Sequence, residues 1–216
     1  MDHAQETDLL AGEVFDHQTF SRLTLTENVL KKKSFTDCVF EHCHLFEVRF
    51  EACRFERCSF LHCDLSMSKV DGCIWLGVAF EQCKLMGVNW ARIKELFPPK
   101  VRFSECVLTY GSFMELDLKE VSFCKCKATE VNFCESDLSG VIFEHTDLAG
   151  SDFLHTNLSQ ADFRSAKNYK LNLNDNRVEG AKFAFPEAIS LLKSFGVEVD
   201  FQMDEKVGGT PLFSKE

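Results

Sequence analysis

A large apolar residue recurs at every fifth position along most of this chain, and no other feature constrains the fold as strongly. From Phe15 to Trp90 the series has no exception. It slips by three residues across 91–100, resumes at Phe103 and runs with few weak positions to Phe183. This period fits neither an α-helix, with about 3.6 residues per turn, nor a plain strand, with about two. It predicts a short extended segment followed by a corner, repeated many times.

A small or β-branched residue stands two positions before each large one, and nine of the eleven cysteines belong to this second set. In extended backbone, residues two apart face the same side, so both sets are predicted to point inward. A metal site is the alternative for the cysteines. Its ligands typically come as Cys-x-x-Cys pairs or Cys/His sets, whereas most of these cysteines are five or ten residues apart. The spacing favours core packing.

Identical residues also recur at intervals of twenty, as at Phe20, Phe40 and Phe60. Four pentapeptides per coil predict a four-sided, all-β solenoid of about eight coils, with like residues stacked on each face. Its interior would be filled by side chains, so no cofactor is expected. We divide the chain into an N-terminal segment (1–12), the β-helix (13–183, interrupted by a loop at 91–100), a helix-and-strand module (184–200) and a flexible tail (201–216).

The charge balance excludes several classes of partner. The chain has 24 Lys and Arg against 34 Asp and Glu, a net charge of −10, which argues against direct binding of nucleic acid or of an anionic membrane. Without a long apolar run or a signal-like N-terminus, a cytoplasmic location is expected. We find no catalytic triad, phosphate-binding loop or dinucleotide motif, so the chain is not predicted to be an enzyme. His42 and His62, twenty residues apart, are predicted to stack on neighbouring coils.

Units such as SDLSG (136–140), TDLAG (146–150) and TNLSQ (156–160) resemble those of pentapeptide-repeat proteins. The resemblance covers about 15–183. It implies a right-handed quadrilateral β-helix.

Three further stretches resemble the topoisomerase-protecting branch of that family, which includes the Qnr, MfpA, McbG and AlbG proteins. They are CKLMGVNW (83–90), AKNYKLNLNDNRVEGAKFAFPEA (166–188) and SLLKSFGVEV (190–199). This resemblance implies a cytosolic homodimer that binds DNA gyrase, with topoisomerase IV as a second target, and protects it from a quinolone or a natural toxin. The alternative is a general protein-interaction scaffold of the same family without a topoisomerase role.

The second half of the chain is acidic. No Lys or Arg occurs from Ala128 to Phe163. Carboxylates on a rod would repeat at a coil spacing of about 4.8 Å, and a basic DNA-binding groove would attract them as it attracts a duplex. A solvated surface that only aids solubility is the alternative, but with the resemblance we favour DNA mimicry. The predicted partner-binding carboxylates are Glu115, Asp117, Glu120, Glu130, Glu135, Asp137, Glu144, Asp147, Asp152 and Asp162.

The interruption at 91–100 is a second candidate surface. The slip permits either an eight-residue insertion or a replaced face plus three residues, and Pro98 and Pro99 forbid ladder pairing where they stand. As an extruded loop the segment would contact a protein partner; as an irregular face it would fold Phe97 inward. The predicted loop contacts are Arg92, Ile93, Lys94, Glu95, Leu96 and Phe97.

The segment 186–196 reads as a helix, because Pro186 suits a first turn and Gly196 a C-terminal cap. A short strand is predicted to follow at 197–199. This module either caps the open end of the rod, which would otherwise invite strand pairing, or forms a homodimer. The predicted dimerisation residues are Ile189, Leu191, Leu192, Phe195, Val197 and Val199.

Overall fold

Short strands, each centred on a large apolar residue, and single bridges between turns build the described part of the chain. The computed structural model describes residues 9–25, 28–97 and 101–199. Fourteen strands of three residues occur in these ranges. They are β1 (Val14–Asp16), β2 (Thr19–Ser21), β3 (Val29–Lys31), β4 (Ser34–Thr36), β5 (Val39–Glu41), β6 (Arg49–Glu51), β7 (Arg54–Glu56), β8 (Ser59–Leu61), β9 (Ile74–Leu76), β10 (Ala79–Glu81), β11 (Glu95–Phe97), β12 (Arg102–Ser104), β13 (Ser122–Cys124) and β14 (Ile142–Glu144).

All strand pairs are parallel, and the chain forms a β-solenoid as predicted. Three sheets have the orders β1-β4-β7-β9-β11, β2-β5-β8-β10-β12-β13-β14 and β3-β6. The seven strands of the longest sheet are separated by six turns of the chain. Single parallel bridges from Ile142 to Asp162 and from Asp162 to Lys182 continue that face for two more turns. On the remaining faces, single bridges between residues twenty or more apart replace strands.

The large residues form continuous stacks inside the rod. The rings of Phe40 and Phe60, on successive turns of one face, have centroids 4.5 Å apart and planes inclined by 3°. Rings on neighbouring faces meet edge to face, as Phe35 and Phe40 do at 5.3 Å and 70°. Both geometries are favourable for aromatic pairs. The interior is therefore filled along its length, as the sequence predicts.

The second inward position holds hydrogen-bonding side chains as well as apolar ones. The Cys63 Sγ donates to the carbonyl of Phe40, 3.3 Å away on the preceding turn, and accepts from the backbone N–H of Cys43 at 3.4 Å. Thr146 and Ser136 place hydroxyl groups in the same position and make the same carbonyl contact at 3.0 and 2.7 Å. Cys, Ser and Thr are thus chemically equivalent there, which the interpretation of these cysteines as small apolar residues missed.

The described cysteines are free thiols. Nine of the eleven are buried, as predicted. Burial raises the pKa of Cys58 to about 12, so this thiol stays protonated and keeps its S–H donor at neutral pH. The thiols are therefore part of the internal hydrogen bonding of the rod.

The corner between faces uses left-handed backbone. Glu115, Glu135 and 20 other residues that are not glycine have φ between 49° and 65°, a region that costs roughly 1–2 kcal/mol per residue. The corner N–H of Glu115 donates to the carbonyl of Cys134 on the next turn at 3.1 Å. This bond between turns, repeated along the rod, helps to hold the strained corners.

The interruption at 91–100 proves to be a replaced face with three extra residues. After a short 3₁₀ helix (Trp90–Arg92), strand β11 pairs with β9 and sets Leu96 opposite Trp75. This offset is 21 residues, and the next face, where Phe103 lies opposite Phe80, has an offset of 23. One extra residue therefore precedes Leu96 and two follow it. Of the two alternatives that the sequence left open, the replaced face is therefore correct and the eight-residue insertion is not, because three residues of the segment complete the wall.

Each end of the rod carries a cap. At the N-terminal end, a helical turn at 9–11 buries Leu9. The buried Lys33 ammonium donates to the carbonyls of Leu10, at 2.9 Å, and Gly12. At the other end, a 3₁₀ helix (Glu187–Phe195) follows the last turns and buries Leu191.

The strand predicted at 197–199 is wrong: no described residue pairs with this segment, so no ladder forms. The predicted tail, 201–216, lies outside the described residues. In the described ranges, every helix is too short to cross a membrane.

Candidate partner-binding surface

Five of the ten predicted partner-binding carboxylates have a structural task. Each aspartate stands just before a large inward residue, and its Oδ1 accepts the backbone N–H two residues later. These N–H···O distances lie between 3.0 and 3.2 Å. The five are Asp117, Asp137, Asp147, Asp152 and Asp162. Asn132 and Asn157 make the same bond, so the turn requires the side-chain oxygen and not the charge.

Asp137 has the most partners of this group. Its Oδ1 accepts from the N–H of Ser139 and the amide of Asn157, both at 3.0 Å, and its Oδ2 lies 3.0 Å from the Lys119 ammonium. Desolvation raises the pKa of Asp137, but hydrogen bonds from Ser139, Lys119 and Asn157 outweigh it and lower the pKa to about 2. The carboxylate is ionised at neutral pH, and its hydrogen bonds and its ion pair are formed with other residues of the rod.

Cations also lie beside the stretch that lacks them in sequence, either next to it along the chain or on adjacent turns. The Arg164 guanidinium contacts Asp162 at 2.7 Å, and its hydrogen bond holds the pKa of Asp162 below its usual value against desolvation. Asp147 is bridged on one side to Lys127 and on the other to Lys167. Residues twenty apart are neighbours in this fold, so a window of sequence does not define a surface.

The corner glutamates are different. Glu115, Glu120, Glu130 and Glu135 are exposed, and none forms an ion pair with a described residue. Glu115 and Glu135 occupy the same corner on successive turns, with the inter-turn bond of Glu115 reaching the residue before Glu135. Their carboxylates point away from the core because the corner has no inward position.

Glu144 is a further exposed carboxylate. It lies on the face between two corners, and its Oε2 accepts from the Cys124 thiol at 3.4 Å. Together with the corner glutamates it places negative charge on several sides of the rod. The acidic surface therefore encircles this part of the molecule and is not one stripe.

The charge is concentrated in the middle of the chain. Residues 103–163 contain eleven acidic and three basic side chains, whereas residues 9–97 contain twelve and eleven. In the first half, ion pairs are frequent: Arg57 contacts Asp37 at 2.8 Å, and its second partner is Glu56. The acidic half thus has an excess of carboxylates that its own cations cannot match. We call this region, 103–163, the acidic segment.

The predicted loop contacts are mostly part of the wall. Ile93 is buried, and the Arg92 Nε donates to Asp71 at 2.9 Å. The Lys94 N–H donates to the carbonyl of Cys73 on the preceding turn, and Glu95, Leu96 and Phe97 form β11. Arg92 and Lys94 remain exposed. A partner role for this segment stays a prediction.

The predicted dimerisation residues divide into two groups. Leu191 is buried against the core and Ile189 is half-buried, so both help to cap the rod. Leu191 was predicted to contact a second copy of the chain, but its own chain already covers it. An apolar group stays exposed at this end of the rod. It consists of Leu192, Phe195, Val197 and Val199, together with Phe185.

One group of potential metal ligands was not predicted. Ligand atoms of Asp16, His17 and Asp37 lie within 4.8 Å of one another. Both Asp37 oxygens, however, accept from the Arg57 guanidinium at 2.8 Å, which lowers the pKa of Asp37. A guanidinium already provides the positive charge there, so we do not assign a metal to this cluster.

Two sequence signals for these roles were available. Asn alternates with Asp at the position before the large residue, as at Asn132 and Asp152, which indicates a shared turn function. Ser and Thr alternate with Cys two positions before it, as at Thr146 and Cys126, which indicates a shared hydrogen bond. In both cases the alternating residues share a hydrogen-bonding role, although they differ in charge or in polarity.

Comparison with known proteins identifies the repeat. The model of the pentapeptide repeat region matches residues 33–94. The model of pentapeptide repeats (8 copies) matches 117–153, 129–164 and 142–175, and together the two cover more than half of the chain. A search of the curated proteins finds no match.

Solved structures share the fold at low identity. A trypsin-treated variant of QnrB1, a plasmid-mediated fluoroquinolone resistance protein, has a TM-score of 0.56 at 18% identity, covering 84% of this chain and 100% of that one. HetL, a pentapeptide repeat protein involved in heterocyst differentiation regulation from the cyanobacterium Nostoc sp. strain PCC 7120, has a TM-score of 0.57 at 16% identity, covering 82% and 90%. At such identities the likeness concerns the fold alone.

Proposed function

The chain belongs to the pentapeptide-repeat family, and on that premise we propose that it binds DNA gyrase along the acidic segment as a mimic of duplex DNA. The observation that carries the proposal is the set of exposed corner glutamates that form no ion pair with any residue in the described ranges. Residues 103–163 as a whole carry eleven acidic and three basic side chains, a net charge of −8. The proposal assigns no chemistry and no cofactor to the protein, which contributes shape and charge only.

Charge spacing supports this assignment. Successive turns of a β-solenoid are about 4.8 Å apart, so Glu115 and Glu135, at the same corner of adjacent turns, present their carboxylates close together along the axis. B-DNA presents one charge per roughly 1.7 Å of axis, and a groove built for that array is strongly basic. Such a groove attracts an acidic rod at long range, which raises the association rate more than the final affinity.

The biological consequence would be protection of the topoisomerase. A rod that occupies or approaches the DNA-binding groove reduces the amount of cleavage complex that a quinolone or a natural toxin can trap. QnrB1, which shares the fold, is described as a fluoroquinolone resistance protein. Topoisomerase IV is the second candidate target, the bacterial cytoplasm is the expected location, and a homodimer through the exposed apolar C-terminal group is the expected assembly.

A general interaction scaffold is the second candidate function. The turn-forming role of Asp117, Asp137 and the other three aspartates favours it, since these side chains have a role in the fold whatever the partner is. HetL, with the same fold, is described as a regulator of differentiation. Under this function the protein would bind another partner and leave gyrase untouched.

Charge removal at the corners distinguishes the two functions. In the test variant, Glu115, Glu130 and Glu135 are changed to Gln, which keeps side-chain size at exposed positions. In the matched control, three exposed glutamates of the first half are changed in the same way. They are Glu13, Glu47 and Glu81. Binding of each protein to purified gyrase is measured by surface plasmon resonance at two salt concentrations.

The proposal predicts weaker binding for the test variant and unchanged binding for the control, with a smaller difference at high salt because exposed charges are screened. Equal binding of both variants and of the unmodified protein would remove the electrostatic argument. No detectable binding of the unmodified protein to gyrase, with the solenoid intact by circular dichroism, would favour the scaffold.

A further inference from the structure

Two histidines form a parallel stack on the first half of the rod. The rings of His42 and His62 have centroids 4.7 Å apart and planes inclined by 7°, which confirms the predicted stacking. Both residues occupy the same corner on successive turns with the same φ of 54°. Because the backbone repeats, the two side chains leave the rod in the same direction. Both are exposed, so neither ring is needed to fill the core.

We propose that His42 and His62 together bind a divalent transition-metal ion of the Zn²⁺ type. Neutral imidazole nitrogens are preferred ligands for such ions, with Zn–N distances of about 2.0–2.1 Å. Two bonds of that length span at most about 4.2 Å. Because imidazole lone pairs lie in the ring plane, binding requires the two exposed rings to rotate about their Cβ–Cγ bonds out of the parallel stack, so that one nitrogen of each faces the ion.

Neighbouring groups could supply further ligands. The Glu41 Oε1 lies 3.9 Å from the His42 Nε2, where it can orient the ring or supply an oxygen ligand, as carboxylates next to metal-bound imidazoles do. The two rings also line a shallow cavity of about 250 Å³ to which His44, Asp64 and Gln82 contribute. The site thus offers nitrogen and oxygen donors on one concave surface.

The imidazoles and not the carboxylates define this site. The Asp64 Oδ1 accepts from the N–H of Ser66 at 3.0 Å, and the Oδ2 lies 4.0 Å from the Lys84 ammonium. That lysine offsets much of the local negative charge, so a hard cation such as Mg²⁺ has little reason to bind. The nearby Lys84 does not change the preference of imidazole nitrogens for Zn²⁺ over Mg²⁺.

Titration calorimetry with Zn²⁺ on the full chain, prepared without a histidine tag, tests the proposal. Excess Mg²⁺ is added to the buffer so that it competes for the carboxylates of the acidic segment, while the imidazole nitrogens stay available for Zn²⁺. The variants are His42→Gln and His62→Gln, and glutamine is tolerated because Gln82 occupies the same corner one turn later at φ 51°. The matched control is His145→Gln, since His145 is an exposed corner histidine bounded by Lys125 and Ser165 on the adjacent turns.

The expected result is one Zn²⁺ per chain that persists in excess Mg²⁺. Either His42→Gln or His62→Gln weakens binding at least about tenfold, as the loss of a metal ligand or of its close support does, and His145→Gln leaves it unchanged. Three results would overturn the proposal. They are an absence of Zn²⁺ binding by the unmodified protein, equal affinity in all four proteins, and a loss in the control as large as that in the pair.

Discussion

Replacement of a single thiol in the internal column measures how much its hydrogen bonds stabilise the rod. Cys63 is 2% exposed, and its Sγ is the partner of the Cys43 N–H at 3.4 Å and of the Phe40 carbonyl at 3.3 Å. Cys63→Ala leaves that N–H buried without a partner, which costs about 1–3 kcal/mol. The space vacated by sulfur adds about 1 kcal/mol. We expect Cys63→Ala to lower the free energy of unfolding by about 2–4 kcal/mol.

Two further substitutions separate the hydrogen bonds from the packing. Cys63→Ser keeps a donor and an acceptor at a position where Ser68 and Ser136 already make this bond, so its loss should stay under about 1 kcal/mol. Cys63→Val fills the space but leaves the N–H unpaired, which costs about 1–3 kcal/mol. Cys134→Ala, at a half-buried thiol outside the column, is the control and should stay within about 0.5 kcal/mol.

The assay is equilibrium urea unfolding, followed by circular dichroism and by fluorescence of the two buried tryptophans, Trp75 and Trp90. Coincidence of the two transitions is required before a free energy is extracted, since solenoids can unfold in parts. If Cys63→Val proves as stable as Cys63→Ser, the thiol acts as apolar filler and the hydrogen-bond argument is refuted.

Three other predictions concern the core, the acid response and the C-terminal cap. Phe123→Ala, which removes a ring stacked on two others at 5.3 and 5.4 Å, should lower the unfolding free energy by about 3–5 kcal/mol. Tyr110→Ala, at an exposed ring on a corner, should stay within about 0.5 kcal/mol in the same urea assay. Because the pKa of Asp137 falls from 3.8 to about 2 on folding, its ionised form stabilises the rod above about pH 4, and this contribution disappears as the pH falls to about 2. Asp137→Asn should therefore lose less stability than the unmodified protein between pH 5 and about pH 2, and parallel curves would show that Asp137 does not contribute. Leu191→Ser should lower the melting temperature without changing the mass measured by light scattering, whereas dissociation of a dimer would assign Leu191 to an interface.

The fold was predictable because its determinants repeat. Each pentapeptide repeats the same inward pair of residues, and at the weak position Asn168 the adjacent Tyr169 is buried in the core instead. The phase slip could not be resolved, since an insertion of eight and a replaced face plus three leave the same register at Phe103. Only the pairing of Leu96 with Trp75 distinguishes them.

The position of the acidic surface along the chain was predictable, but the neighbouring cations and the structural role of its aspartates were not. A reading along the chain finds no cation from Ala128 to Phe163, whereas the twenty-residue stacking sets Lys127 and Lys167 on both sides of Asp147. The aspartates were interpreted as free charges although their side chains close turns. The strand at 197–199 failed for a different reason, because alternation alone does not provide the partner that a ladder needs.

Competition with DNA tests the central claim most directly. Purified gyrase is mixed with a labelled linear duplex and increasing amounts of the protein, and duplex release is followed by fluorescence anisotropy, with a parallel reaction that counts quinolone-trapped cleavage complexes. The account predicts that the protein displaces the duplex and lowers the number of trapped complexes, and that the variant with Gln at 115, 130 and 135 does both less well. Simultaneous binding of protein and duplex to gyrase, with trapped complexes unchanged, would contradict it.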